Sequence, residues 1–406
     1  MEGEILHEFN QSVHDELFKN IVPFWIERTP DHEFGGFYGR ISNALIVEKQ
    51  APKSLILTTR ILWTFARLYE FRPDNIYLNL AEHAYRFLMD KFIDREYGGA
   101  YWMVDYKGNI LTDKKKMYGQ AFTIYALAKY YLVTKDPVVL EEAKKIFQLI
   151  ETHNYDPKHR GYFETSNRDW TMAEEMRLSE IDMNEMKSMN THLHLMEAYA
   201  AFYRVWPDEM LKQKLYELIA CFRDFIIAPE TMHFKLFFDE AWHSKSSAVS
   251  FGHDIEGSWL LCETAEVLKD HILMDEIKTI SLDLVNATMK DGFSKCYSIF
   301  SERNSDGIIC RESHWWQQAE AVVAFINGYQ LSKNKLYLEW AVKCWEYIKK
   351  HFVDQEYGEW FYETDEHGHP DQRRYKVSEW KGPYHNGRAC MEVIDRLKML
   401  NNCTKR

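Results

Sequence analysis

The sequence has few cysteines and no pair of them in a C-x-x-C arrangement. Seven cysteines, from Cys221 to Cys403, are spread widely through the C-terminal half of the 406 residues. A disulfide framework needs paired cysteines and a structural zinc site needs closely spaced ligands, so the sequence argues against both. This pattern is typical of reduced thiols, and we therefore expect a cytoplasmic protein.

Long apolar runs and clusters of positive charge are also missing. No stretch of about 18 apolar residues occurs, so the sequence predicts no membrane-spanning helix. The first residues, Met1 to Glu4, are acidic and precede no apolar signal-peptide core. The net charge is −12, with no stripe of Lys or Arg, which argues against nucleic acid and anionic membranes as partners. We expect a monomer or a weak homodimer.

Several common catalytic signatures do not occur in the chain. There is no Gly-rich phosphate loop, no Gly-x-Ser-x-Gly elbow and no H-E-x-x-H pair. His192 and His194 are two residues apart on a predicted helix, so their side chains point about 200° apart and cannot share an ion. We therefore expect no metal and no other cofactor.

An internal repeat is the first feature that the sequence does contain. A turn motif, DHEFGGFY from Asp31, recurs at Asp94, Asp156 and Asp354, at offsets of 63, 62 and 198 residues. The last offset equals three steps of 66, so two degenerate copies are expected in between. The candidates are residues 233–239 and 291–293. Each copy reads as a turn followed by a short aromatic strand.

Helical periodicity fills the intervals between the turns. Six segments are amphipathic with one polar side: residues 5–25, 77–92, 138–150, 210–225, 275–289 and 335–352. Six others are more apolar and aromatic: residues 55–69, 118–131, 189–203, 251–268, 315–331 and 387–397. The alternation predicts an all-α fold, an (α/α)6 barrel with six inner and six outer helices and short β-hairpin loops, in one domain over residues 1–406. An open solenoid is the alternative, but six copies favour closure, which leaves no terminal repeat to cap.

Polar residues lie in the first turns of the six apolar helices, at steps close to the repeat length. They are Arg60, Tyr118, Asn190, His194, His253, Glu256, Trp316, Glu320, His385 and Arg388. Inner helices of such a barrel all start at the same end. The spacing therefore predicts that these side chains converge on one mouth of the barrel.

The chemistry of this set suits proton transfer on a neutral, hydroxyl-rich molecule. Tryptophans stack on sugar rings, while Arg, Asn and Glu bind hydroxyls. Two histidines on opposite walls can remove and return one carbon-bound proton, and an Arg can stabilise the oxyanion formed in between. Two alternatives remain open at this point. One is an inverting glycosidase that uses Glu256 and Glu320, and the other is a non-catalytic sugar-binding protein.

Four motifs in order resemble the cellobiose 2-epimerases of the N-acylglucosamine 2-epimerase superfamily. They are residues 187–197, 250–256, 315–320 and 378–385. The resemblance implies an (α/α)6 barrel, no metal, and reversible C2 epimerisation of the reducing-end sugar of β-1,4-linked disaccharides. An N-acetylglucosamine 2-epimerase or a mannose-type aldose–ketose isomerase of the same superfamily is the alternative. The WKGPYH form of residues 380–385 favours the disaccharide branch.

The resemblance also implies roles for individual residues. His253 and His385 match the general acid/base pair, and His194 matches a histidine that assists ring opening or steadies the intermediate. The residues that match substrate contacts are Arg60, Tyr118, Asp182, Asn190, Glu256, Trp316, Glu320 and Trp380. The second sugar is expected near residues 297–310, and His314 has no assigned role.

Overall fold

The structure, a computed structural model, describes residues 2–403, and the side chains of residues 3–400. The expectations that concern Met1 and the thiol of Cys403 lie outside these described parts. The other six cysteines are free, as predicted. Between residues 2 and 403 no helix is long and apolar enough to cross a lipid bilayer.

Thirteen α-helices make up most of the described chain. They are α1 (Glu2–Glu16), α2 (Val22–Glu27), α3 (Leu55–Phe71), α4 (Asn75–Phe87), α5 (Met117–Thr134), α6 (Pro137–His153), α7 (Met189–Tyr203), α8 (Glu209–Cys221), α9 (Phe251–Leu268), α10 (His271–Asp291), α11 (Trp315–Ser332), α12 (Lys335–His351) and α13 (Tyr384–Cys403). Short π-helical turns extend α1, α4 and α8, at Leu17–Ile21, Leu88–Phe92 and Phe222–Ile226. The predicted segments agree with these helices to within a few residues at most ends.

The helices form two concentric rings. In the inner ring each of α3, α5, α7, α9, α11 and α13 packs on the next, and α13 packs back on α3. In the outer ring α4, α6, α8, α10 and α12 each pack on the inner helix that precedes them, and α1 packs on α13. This arrangement confirms the predicted (α/α)6 barrel.

Local sequence explains the corners between inner and outer helices. Three inner helices end at a left-handed lysine, namely Lys135, Lys269 or Lys333. The next residue is an Asp or Asn whose side chain accepts a hydrogen bond from the first turn of the outer helix. Such caps satisfy backbone N–H groups that the helix itself leaves unpaired. Each corner is short because the lysine that ends the inner helix is followed directly by the residue that caps the outer helix.

Short antiparallel strands connect the loops at the mouth of the barrel by backbone hydrogen bonds. They are β1 (Ile41–Ser42), β2 (Lys53–Ser54), β3 (Met103–Val104), β4 (Ile110–Thr112), β5 (Lys115–Lys116), β6 (Thr165–Ser166), β7 (Lys187–Ser188), β8 (Ile227–Ala228), β9 (His233–Phe234), β10 (Phe237–Phe238), β11 (Glu302–Arg303), β12 (Ile309–Cys310), β13 (Ser313–His314), β14 (Glu363–Thr364) and β15 (Tyr375–Val377). Most pairs join the loops of neighbouring repeats, as in β2–β3, β5–β6, β7–β10 and β13–β14. The pairing of β1 with β15, with Ile41 opposite Val377, joins the first loop to the last.

The predicted turn is present in all six repeats. Its two arms pair at residues 30 and 37, 93 and 100, 155 and 162, 227 and 234, 293 and 299, and 353 and 360. Both degenerate copies lie near the predicted places, but the fourth turn begins at Ile227. His233 therefore belongs to its second arm, and Asp239 opens a separate turn closed by a hydrogen bond to His243.

Each turn is tied to an inner helix by a side chain near that helix's start. Buried lysines donate to the turn aspartates in four repeats, at distances of 2.5–3.0 Å: Lys53 to Asp31, Lys115 to Asp94, Lys187 to Asp156 and Lys376 to Asp354. We call these contacts the Lys–Asp links. The fourth residue of four inner helices also bonds the second arm of a turn through its side chain: Gln120, His192, Asp254 and Gln318.

Candidate active site

A cavity of about 860 Å³ opens at the N-terminal ends of the inner helices. All the predicted site residues line it except Glu320, which lies directly behind His385, and Arg388, which donates to Glu256 and Glu320. The structure therefore brings together the whole set that repeat spacing placed at one mouth. His192, by contrast, accepts from the Tyr162 N–H and bonds the Ser188 carbonyl, and burial lowers its pKa to about 3.

His385 lies on the wall formed by α13. Its Nδ1 is 2.7 Å from Glu320 Oε1, and an ionised carboxylate there accepts the Nδ1 proton, which leaves Nε2 as the basic nitrogen. Burial lowers the pKa of His385 well below its ordinary value, and the positive charges of Arg60 and Arg388 lower it further. Both effects favour the neutral imidazole.

His253 lies on α9 and has a different partner. Its Nδ1 is 2.7 Å from the Ser250 hydroxyl. Burial, with a smaller contribution from His194, lowers the pKa of His253 to about 3. The Trp316 ring packs against both imidazoles, with centroids 4.8 Å from His253 and 5.6 Å from His385. Gly252 permits this approach, because a Cβ there would come within 2.6 Å of the Trp316 ring.

The third histidine, His194, is held by a carboxylate of its own helix. Its Nδ1 is 2.8 Å from Glu197 Oε2, three residues along α7. The Tyr118 ring packs edge-on against the imidazole at 4.9 Å. Nε2 of His194 therefore faces away from Glu197, and the His194 side chain lines the cavity.

Arg388 joins the three glutamates behind these histidines. Its guanidinium donates to Glu256 Oε1 at 2.7 Å and to Glu320 Oε1 at 2.6 Å, and it also donates to Glu197. All four side chains are almost fully buried. We call this group, Arg388 with Glu197, Glu256 and Glu320, the Arg388 hub. The sequence placed Arg388 beside His385 but assigned it no role.

The carboxylates of the Arg388 hub differ in their affinity for protons. Burial opposes ionisation of all three, but Arg388 and His194 lower the pKa of Glu197 to about 2. Burial, reinforced by the charge of Glu320, raises the pKa of Glu256 to about 7. Burial also raises the pKa of Glu320. One guanidinium cannot neutralise three carboxylates, so the hub binds a proton near neutral pH.

Glu256, Glu320 and His385 are close enough to raise the question of a metal. One potential ligand atom of each lies within 4.8 Å of the others. Arg388 already donates to both carboxylates, so a cation at this point would face a guanidinium. Hydrogen bonds from Arg388 to both carboxylates fit a proton-sharing network better than a site for a divalent ion. That the reaction needs no metal stays a prediction.

Arg60 supplies a second positive charge, on the α3 wall. Its Nη1 donates to the Trp380 carbonyl at 2.7 Å and its Nη2 to the Tyr118 hydroxyl at 2.9 Å. Arg60 Nε, Asn190 Oδ1 and Glu256 Oε2 are buried and have no hydrogen-bond partner within the described chain. The cavity wall thus offers one donor and two further polar atoms to a hydroxyl-rich ligand.

The loops around the cavity differ most from expectation. None of residues 297–310, all of them described, lines the cavity, whereas residues 175–182 contribute seven lining positions. Asp182 is one of these, and its carboxylate accepts from the Ser179 N–H and hydroxyl. His314 lies at the rim, with Nε2 3.5 Å from Glu363.

Two aromatic residues of the cavity wall were missed by the sequence analysis. Trp102 packs on Trp380 with ring centroids 5.9 Å apart, and Tyr362 lies against Trp315 at 4.5 Å. Both follow a turn motif by a few residues, at equivalent places in the second and sixth repeats. The equivalent positions in the first and third repeats are Gly39 and Glu164, so the repeat pattern alone does not single these aromatic residues out.

Comparison with known proteins agrees with this geometry. Residues 36–387 match the model of the family described as N-acylglucosamine 2-epimerase (GlcNAc 2-epimerase). A cellobiose 2-epimerase of Bacteroides fragilis is 42% identical over 95% of this chain and 98% of that protein. A solved cellobiose 2-epimerase structure from Bacillus thermoamylovorans superposes with a TM-score of 0.92 at 38% identity, covering 96% of this chain and all of that one.

A more distant relative is also similar over most of the chain. A D-mannose isomerase of Marinomonas mediterranea is 23% identical over 90% of this chain and 92% of that protein. The family match covers well over half of the chain, and the identity to the cellobiose 2-epimerase far exceeds that to the isomerase. The chain therefore belongs to the N-acylglucosamine 2-epimerase family.

Proposed function

We propose that the protein epimerises C2 of the reducing-end sugar of β-1,4-linked disaccharides, converting cellobiose to glucosyl-mannose and lactose to epilactose. The observation that carries the proposal is the pair of histidines in one cavity, each with Nδ1 engaged, on either side of Trp316. The similarity to cellobiose 2-epimerases over nearly the whole chain supports the substrate class.

The reaction begins with opening of the hemiacetal, in which the C1–O5 bond breaks, the anomeric hydroxyl loses its proton to become the C1 carbonyl and the ring oxygen gains a proton. His194 lines the cavity and is placed to transfer that proton. Nε2 of one neutral histidine, His253 or His385, then takes the proton from C2 of the aldehyde. The electron pair of the broken C–H bond forms the C1–C2 double bond of a cis-enediolate, and the negative charge moves to O1. Arg60 stabilises that charge.

The planar C2 is then protonated from the opposite face. Rotation about the C2–C3 bond presents that face to the second histidine, which must be an imidazolium to deliver a proton. The C1–C2 double bond returns its electrons to form the new C–H bond, and the O1 charge returns to the carbonyl. The catalytic pair thus needs one neutral and one protonated member. Burial favours the neutral form of both imidazoles, so the extra proton must be supplied by the Arg388 hub, whose Glu320 carboxyl bonds Nδ1 of His385.

The alternatives fit the site less well. An inverting glycosidase sets its two carboxyl groups about 6.5–9.5 Å apart across the sugar. Glu256 and Glu320 instead bring oxygens within 4.8 Å of each other on one guanidinium. A non-catalytic sugar-binding protein would use the tryptophans for stacking but would not need the two histidines. Return of the proton to C1 would give the ketose, so weak isomerase activity is an expected side reaction.

The test is incubation with cellobiose in D₂O. Glucosyl-mannose with deuterium at C2, and none at C3 or beyond, is the expected product, because a histidine exchanges its proton with solvent. Unreacted substrate should gain label more slowly than the product, since the base that removes the proton differs from the acid that returns one. Free glucose would identify a glycosidase. Product with no solvent deuterium at C2 would exclude the enediolate route and the roles of both histidines.

A further inference from the structure

Three inner helices are preceded by a serine at the same position. Ser54 precedes α3, Ser188 precedes α7 and Ser250 precedes α9. The Ser54 and Ser188 hydroxyls accept from backbone N–H groups of the first helical turn, which is the usual task of a serine at this position. Ser250 makes no such cap, and its hydroxyl lies 2.7 Å from His253 Nδ1 instead.

The two members of the histidine pair therefore have unlike partners. His385 Nδ1 faces the Glu320 carboxylate, which accepts a proton and carries a negative charge. His253 Nδ1 faces a neutral hydroxyl. A hydroxyl that accepts the Nδ1 proton fixes the tautomer with Nε2 basic, and it does so without adding charge to that wall.

We propose that Ser250 is a positioning residue for proton transfer by His253. Its hydroxyl does not cap α9 but accepts a hydrogen bond from His253 Nδ1–H, and this keeps Nε2 of the neutral imidazole directed at the substrate. The inference rests on the proposed epimerase function for its kinetic consequences, but the tautomer that it assigns is independent of that function.

Several ionisable groups surround His253 and contribute to any pH profile. His194 faces it from α7, His385 from α13, and Glu256 lies one turn along α9. Trp316 of α11 packs on the ring and carries no charge. The pH profile of kcat/KM therefore reports the titration of all these groups together and not of His253 alone. Variants are compared by how far the acid limb of that profile shifts.

The kinetic experiment compares three variants on cellobiose. Ser250→Ala removes the acceptor, and we expect kcat to fall about 10- to 100-fold with KM within twofold, as for other partners that orient a histidine. The acid limb of kcat/KM should move to lower pH, because the imidazolium loses its Nδ1–H acceptor. Ser250→Thr should restore the wild-type limb. Ser250→Asp should move the limb to higher pH, because a carboxylate favours the imidazolium.

Ser188→Ala is the matched control, since it removes a hydroxyl at the equivalent position that does cap its helix. It should lower the thermal midpoint and leave the acid limb in place. If Ser250→Ala behaves like this control, with no shift of the limb, the serine serves the fold alone and the proposal is wrong. An unchanged kcat in Ser250→Ala would also overturn it.

The tautomer gives a second readout that does not depend on activity. In ¹⁵N-histidine-labelled protein the His253 signals, assigned by their loss in His253→Gln, should show the Nδ1–H form. In Ser250→Ala they should shift toward a mixture of tautomers. A wild-type Nε2–H form would overturn the inference even if cellobiose is epimerised. A wild-type protein that leaves cellobiose unchanged would defeat the proposed function, while the ¹⁵N spectrum would still decide the role of Ser250.

Discussion

The Arg388 hub and the Lys–Asp links both bury charge, but they balance it differently. Each link gives its aspartate at least one cation, as in Lys53 and Asp31, whose side chains are 2% and 1% exposed. Asp94 accepts from Arg168 as well as from Lys115. The hub sets three carboxylates against one guanidinium. A balanced pair has no need of a further proton and can only hold parts together. An unbalanced group binds a proton near neutral pH, which is the property that acid–base chemistry requires.

The location of the two networks follows the same division. The links lie behind the turns of four of the six repeats, and each ties its turn to the segment that leads into an inner helix. The hub lies under the cavity, and its glutamates reach the ionisable groups His194 and His385. The barrel thus uses one type of buried interaction for its frame and another for its site.

The largest effects should follow from removing the two histidines that are proposed to move the C2 proton. His253→Ala and His385→Ala should each lower turnover by about 10²–10⁴-fold, the usual contribution of a general acid or base. Thermal midpoints should stay close to wild type, because neither imidazole belongs to a Lys–Asp link. Initial rates with cellobiose and thermal melts measure both quantities.

His243→Ala is the control for this pair, because that histidine is 77% exposed and bonds only a loop aspartate. It should leave turnover unchanged. Near-wild-type turnover in either His253→Ala or His385→Ala would show that the two-histidine mechanism is wrong.

Repeat spacing and helical period were sufficient to predict the frame and the place of the site. The turn motif is visible at Asp31, Asp94, Asp156 and Asp354 because a buried lysine pairs with the aspartate in each of those repeats. The site could be placed because all inner helices start at the same end of a closed ring. Both arguments need only local pattern and repeat length.

Long-range side-chain geometry could not be predicted in this way. Ser250 and Ser188 both immediately precede an inner helix, and the position alone does not show that one bonds a histidine three residues on while the other caps its helix. The three glutamate partners of Arg388 lie 68 to 191 residues away in the chain. Residues 175–182, which line the cavity in place of 297–310, form a loop without helical or strand period. Such contacts depend on rotamers and loop paths.

Breaking a Lys–Asp link should cost stability and leave the chemistry alone. Lys53→Met leaves Asp31 buried without its cation, which should destabilise the fold by about 3–5 kcal/mol. At temperatures well below unfolding, kcat on cellobiose should change little, since Lys53 contacts Asp31 and the Gly35 carbonyl but no site residue. Urea denaturation and kinetics measure the two effects separately.

The double variant Lys53→Met/Asp31→Asn tests the cause. The amide side chain introduced by Asp31→Asn would keep an acceptor for the turn N–H groups of Glu33 and Phe34 while removing the unpaired charge. A large part of the lost stability should return. If the double variant is no more stable than Lys53→Met, burial of the unpaired carboxylate is not the reason for the loss.

The fourth repeat, described throughout, has no Lys–Asp link. Its buried ion pair instead joins His233, on the second arm of the turn, to Asp254 of α9, and the stability of this pair should depend on pH. His233 bonds Asp254 at 2.7 Å and Asp291 at 3.2 Å. Burial lowers the pKa of His233, but the two aspartates outweigh it and raise the pKa above the ordinary value. The stabilisation is therefore complete below about pH 6.5, the ordinary histidine value, and is lost as the pH rises through the raised folded value.

His233→Gln should remove this dependence. Hydrogen bonds to charged groups contribute about 1.5–3 kcal/mol, so wild type should be more stable than the variant by that amount at pH 6. The difference should narrow toward pH 9, and urea midpoints over that range measure it. A difference that grows with pH would mean that His233 does not act as a cation.

The fifth repeat has no charge in its link, and it should show the smallest effect. Ser294 occupies the position of the turn aspartate and accepts from the N–H groups of Cys296 and Ser298. Ser313 occupies the position of the lysine, and its hydroxyl bonds Ser298 and the Ile299 carbonyl. Ser298→Ala removes one neutral hydrogen bond and leaves the other in place. The expected loss is about 0.5–1.5 kcal/mol, equal at pH 6 and pH 9 and equal at low and high salt. A loss of stability as large as that of Lys53→Met would mean that side-chain packing, and not charge, determines how much these contacts stabilise the fold. The difference between the Lys–Asp links and the Arg388 hub would then be one of packing and not of charge balance.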